Sequence, residues 1–101
     1  MAYYNDYEPN HRDYRVYKYE LKLTGEQVIQ IPGCHRILDV KIVGRGLFIW
    51  AMVDPAGKKK NMKFYICGTG NLMPKDISMC SYVGTVLDGV LVWHIFCRET
   101  I

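Results

Sequence analysis

Ser81-Tyr82-Val83-Gly84-Thr85-Val86-Leu87-Asp88-Gly89-Val90-Leu91-Val92-Trp93-His94-Ile95-Phe96 carries the strongest hairpin signal of the chain. Two runs rich in β-branched and aromatic residues flank Asp88-Gly89, and Asp-Gly is a strong signal for a type I′ hairpin because both turn positions take φ > 0. The two arms therefore read as paired antiparallel strands. The second arm, Val90 to Phe96, is apolar on both faces apart from His94, which is the pattern of a central strand covered on both sides. The other strands are expected to assemble around it.

The chain upstream supplies them. Leu47-Phe48-Ile49-Trp50-Ala51-Met52-Val53 has no polar side and is too short for a typical helix, so it reads as a covered strand facing Val90 to Phe96, with Trp50 and Trp93 both buried. Strict alternation marks Val16 onward, where Tyr17, Tyr19, Leu21 and Leu23 oppose Lys18, Glu20 and Lys22. Gln27 to Ile31 is a short strand that ends at Pro32-Gly33, since proline has no donor for a ladder. In Arg36 to Val43, Leu38, Val40 and Ile42 share one face and Asp39 and Lys41 the other; Gly44-Arg45-Gly46 follows as a turn. Asp54-Pro55-Ala56-Gly57 reads as a turn extended by Lys58-Lys59-Lys60 into a basic hairpin tip before the strand Met62 to Cys67. Asn71 to Cys80 is the longest connection without a pattern, suited to a functional loop, a cap over an open barrel end or one short helical turn. The expectation is an all-β domain, a small antiparallel barrel or two-sheet sandwich of six or seven strands over residues 16–101.

Residues 1–15 differ in kind. Tyr3, Tyr4, Tyr7 and Tyr14 stand among polar residues with neither helical nor strand periodicity, so this is read as a flexible N-terminal arm. Tyrosine offers large amphipathic contact area at low entropic cost, so the arm can also serve a partner, with Arg12 beside it.

The order of several blocks resembles a family of short phage and prophage proteins known only as a domain of unknown function. The blocks are Lys18-Tyr19-Glu20-Leu21, Gln27 to Pro32, Ile37 to Val40, Trp50-Ala51-Met52-Val53-Asp54-Pro55, Gly68-Thr69-Gly70, Tyr82 to Thr85 and Leu91 to Phe96. The tyrosine-rich arm is an addition to that pattern, and Gly33-Cys34-His35 stands where a Gly-Ala pair is more usual. The resemblance implies a phage origin and supplies no catalytic residue.

Composition narrows the function. Half of the 101 residues are apolar, enough for one buried core, and Lys and Arg exceed Asp and Glu only to a formal net charge of +3, short of a dedicated nucleic-acid binder. No apolar run reaches the roughly 18 residues of a membrane helix, and the N-terminus lacks a signal-peptide layout. A bacterial cytoplasm is expected, where Cys34, Cys67, Cys80 and Cys97 stay thiols. No enzyme is expected, because His94 is the sole plausible base within the fold and a lone histidine on an apolar strand suits a satisfied core residue. No metal or cofactor is expected either, since there is no Cys-x-x-Cys knuckle and Gly68-Thr69-Gly70 is too short for a phosphate-loop fingerprint. The leading expectation is a phage protein that binds and blocks a host or defence protein. Its contact residues would be Tyr3, Tyr4, Tyr7, Arg12 and Tyr14 in the arm, and Lys58, Lys59 and Lys60 at the basic tip. A homo-oligomer is expected because a small sheet has edges to cover. The alternatives are a module that binds a nucleotide signal near Gly68, Thr69 and Gly70, and a nucleic-acid face at Lys63-Phe64-Tyr65.

Overall fold

The computed structural model describes residues 13–100. Among these residues seven strands follow in order: β1 (Arg15–Leu21), β2 (Glu26–Pro32), β3 (Cys34–Val43), β4 (Gly46–Val53), β5 (Lys59–Gly68), β6 (Ser81–Asp88) and β7 (Leu91–Thr100), with a 3₁₀ turn at Ile77–Met79. They form two antiparallel sheets, β1-β4-β3 and β2-β5-β7-β6. This is the all-β, two-sheet form expected, with the larger strand count.

The core lies between the sheets. Leu21, Val40, Leu47, Ile49, Ala51 and Val53 point inward from one sheet, and Ile31, Phe64, Ile66, Val86, Ile95 and Cys97 from the other. Gly84 of β6 brings the sheets close on one side, since a Cβ there would stand 2.7 Å from Cγ1 of Val40 in β3.

Both hairpins take a glycine with positive φ at the first loop position. Val43 pairs with Gly46 around Gly44-Arg45, and Asp88 pairs with Leu91 around Gly89-Val90; Gly44 has φ 61° and Gly89 φ 62°. The second turn therefore sits one residue later than Asp88-Gly89, and Asp88 remains in the ladder, where its carboxylate accepts from the Trp93 indole N–H at 3.5 Å.

Three sequence expectations are corrected. Trp50 and Trp93 are half-buried: strict alternation along β4 sends Ile49, Ala51 and Val53 inward and leaves Phe48, Trp50 and Met52 on the outer face, whereas Trp93 of β7 packs against the core and stays partly exposed. In β3, a register shift between Ile37 and Asp39 turns Leu38 outward, 42% exposed, and gives its core place to Ile37. The lysine run is not a hairpin tip. β4 and β5 belong to different sheets, residues 54–58 cross between them, and Lys59 and Lys60 already pair with Pro32 and Ile31 of β2.

That crossover packs against a second one at Gly33, which carries the chain from β2 to β3. Gly33 N–H donates to the Lys58 carbonyl at 2.8 Å, and Asp54 N–H to the Gly33 carbonyl at 3.0 Å. Gly33 has φ +47°, and a Cβ there would meet the Asp54 carbonyl oxygen at 2.5 Å; a Cβ on Gly57 would meet the Gly33 Cα at 2.7 Å. Only residues without a side chain permit this approach at a positive φ.

The β5 to β6 connection passes over β7, which lies between them in the sheet. Tyr65 and Cys67 alternate away from the core and are nevertheless only 6% and 7% exposed, because residues 69–80 lie over that outer face. The loop contains the short helical turn that was one of its three expected forms.

Candidate functional site

The two crossovers build one end of the molecule, and Tyr14 meets Lys58 and Lys60 there. β1 begins beside it, since Arg15 pairs with Val53, the last residue of β4; Cys34 at the start of β3 pairs with the same Val53. The result is a cavity of about 280 Å³ lined by Tyr14, Gly33, Cys34, His35, Asp54, Gly57, Lys58 and Lys60. Tyr14 and His35 form a tilted ring pair with centroids 5.1 Å apart. Both rings are exposed, as are Arg15, Arg36, Lys58 and Lys59 around them.

The three lysines differ in role. Lys60 donates to the Cys34 carbonyl at 3.1 Å and stands 4.0 Å from Glu99, so it braces the corner. Lys58 and Lys59 are exposed, and both join Lys60 in lining a second cleft with Asn61, Glu99 and Thr100. Tyr3, Tyr4, Tyr7 and Arg12 lie outside the described residues. His35 joins the site although the sequence singled it out only as a departure from the family pattern. Its signal was the Gly33 corner just before it, which aims the start of β3 at the crossover.

Gly68, Thr69 and Gly70 separate in role. Gly68 lines a cavity of about 400 Å³ together with Tyr65, Cys67, Leu72, Met73 and Pro74. Thr69 turns instead to His94, its Oγ1 standing 2.7 Å from Nε2, while Thr85 Oγ1 stands 3.0 Å from Nδ1. Tyr82 extends this chain by a hydroxyl contact with Thr85. His94 thus lies half-buried on an outer face, not in the core, with hydroxyls on both ring nitrogens. This row ties the beginning of the loop across β7 to β6.

The loop is held again further along. Asp76 accepts from the Tyr65 hydroxyl at 2.7 Å and from the Arg98 guanidinium at 2.9 Å. Those two donors hold its carboxyl below the usual carboxylate range. Asp76 was not read as special from the sequence, because its two partners lie on β5 and β7 and only the sheet order joins them.

Lys63-Phe64-Tyr65 does not form an exposed aromatic face. Phe64 is fully buried in the core and Tyr65 lies beneath the loop, while Lys63 pairs with Glu26 at 2.8 Å. The four thiols are free, and burial pushes Cys97 up to about 12 and raises Cys34 as well. Among the described residues no three His, Cys, Asp or Glu side chains gather as a metal site, and no helix is long and apolar enough to cross a membrane.

Comparison with curated proteins and with solved structures finds no significant match. A family model does match, over residues 13–100. That span takes in all seven strands and both crossovers, and the chain belongs to the family described as domain of unknown function (DUF7352).

Proposed function

We propose that the chain is a phage-encoded binding protein without catalytic activity, which blocks a host or defence protein by direct contact in the cytoplasm of a bacterial cell. One observation carries this reading. Tyr14, where the N-terminal arm meets the fold, lines the same cavity as Lys58 and Lys60, although more than forty residues separate them in sequence. Tyrosine supplies anchoring contact area and exposed lysines steer an acidic partner, so the combination suits a protein surface rich in Asp and Glu. The cavity, about 280 Å³, is large enough to take a protruding side chain of such a partner.

The test is capture from bacterial lysate by the full tagged chain, followed by direct titration of the captured protein. The parent is expected to bind it, Tyr14→Ala to lose most of the affinity, and the double variant Lys58→Gln, Lys59→Gln to associate more slowly with a flatter salt dependence. Equal capture and equal affinity across all three proteins would overturn the reading. A second reading, a module for a nucleotide signal, draws on the larger cavity beside Gly68. It is favoured if Leu72 or Met73 substitutions remove binding while Tyr14→Ala does not.

We also propose a homo-oligomer, because β1 and β2 are sheet edges and unpaired edges invite pairing with another copy. Light scattering should give at least twice the 11.7 kDa chain mass at micromolar concentration; a monomer mass throughout would refute it.

A further inference from the structure

The outer faces of the two sheets differ in how they are covered. On the four-stranded sheet, Lys63 and Arg98 are ion-paired with Glu26 and Asp76, and residues 69–80 lie over the face. The three-stranded sheet has no such cover among the described residues. Its register sets Val16 and Arg36 on either side of Met52, Lys18 and Asp39 beside Trp50, and Glu20 and Lys41 beside Phe48. The Lys18 ammonium lies 4.9 Å from the centroid of the Phe48 ring. Asp39 is already engaged, accepting from the Val40 N–H at 2.8 Å and standing 3.6 Å from Lys41. Among the described residues no ring stacks on Trp50 and no group takes its indole N–H.

A second copy of the chain is a poor occupant, because charges break the apolar stripe in every row and interface cores exclude charge. Flat rings with Lys18, Arg36 and Lys41 around them, outnumbering the carboxylates Glu20 and Asp39 of the same face, suit a stacked base with phosphates alongside it. We propose that the outer face of β1, β4 and β3 binds single-stranded nucleic acid, with a base on Trp50, Lys18 held in place over Phe48, and Arg36 and Lys41 along the opposite margin for the phosphates. This site lies on a different surface from the Tyr14 and Lys58 cavity and does not depend on it. It also moves the nucleic-acid reading from Lys63-Phe64-Tyr65 to a face whose central strand, Leu47 to Val53, reads in sequence as covered because it has no polar side.

The test uses the full chain and labelled 15-mers of oligo(dT) and oligo(rU), followed by fluorescence anisotropy in 50 and 200 mM salt. Saturable binding is expected, weakening by about 20-fold between the two salts if three phosphates are contacted. Trp50→Ala should weaken it by about tenfold, and Trp50→Phe, which keeps a stacking ring, by much less. Arg36→Gln and Lys41→Gln should each lower the salt slope by about 0.7, whereas Lys58→Gln with Lys59→Gln should leave binding unchanged. Trp50→Phe and the charge variants keep the test decisive should Trp50→Ala fold poorly. The proposal is overturned by no binding in 50 mM salt, by full binding of folded Trp50→Ala, or by loss confined to the Lys58 and Lys59 variant. It is equally overturned if poly-glutamate binds as well as the oligonucleotides, which would mark an acidic protein as the occupant.

Discussion

Alternation along β4 separates two kinds of apolar residue that look alike in sequence. Ile49 is fully buried and Trp50 half-buried, so the larger side chain contributes less to the core. Phe64, fully buried at the centre of β5, should cost about 3 to 5 kcal/mol when truncated to alanine. Trp50→Ala should cost clearly less, and chemical denaturation of the two variants compares them directly. Equal losses would mean that the outer face of the three-stranded sheet is covered. Cysteine chemistry is also set by burial. A Cys97 thiol pushed up to about 12 is protonated at neutral pH and should resist alkylation in the folded protein. Because the folded value is raised above the unfolded one near 9, the thiol's contribution to stability is complete below pH 9 and is lost as pH rises toward about 12. The stability difference between the parent and Cys97→Ala should therefore shrink in that window on alkaline denaturation; a pH-independent difference would refute the assignment.

At the scale of elements, the strands were legible and their partners were not. Apolar and alternating runs located all seven, since period-two patterning depends only on near neighbours. Whether two consecutive strands form a hairpin or part to different sheets depends on the connection, and Asp54-Pro55-Ala56-Gly57 reads as a hairpin turn by composition. It becomes a crossover because Gly57 and Gly33 allow two backbones to touch. Gly33→Ala should therefore be severely destabilising, by more than about 2 kcal/mol, since it combines a positive φ with a backbone clash. Gly25→Ala, where a Cβ would meet nothing within 4 Å, should change stability by no more than about 1 kcal/mol. Thermal melts of the pair decide whether the corner is as tight as described. The same limit explains the missed Asp76 clamp, since its hydrogen bonds to Tyr65 and Arg98 cross the four-stranded sheet and leave no local sequence signal.

For the whole molecule, topology converts separate sequence features into a surface. Tyr14, His35 and Lys58 lie far apart in sequence and no periodicity links them; the two crossovers set them around one cavity. The Gly68 to Gly70 segment shows the opposite outcome, because three adjacent residues divide between a cavity wall, a hydroxyl contact to His94 and an exposed turn. Partner binding at the crossover end is the proposal that these contacts support. Amide chemical-shift mapping of ¹⁵N-labelled full-length protein, titrated with the partner recovered from lysate, tests it most directly. Perturbations should concentrate at residues 13–15, 33–36 and 54–60 and leave 68–74 unmoved; shifts confined to 68–74, with the crossover residues unchanged, would contradict it.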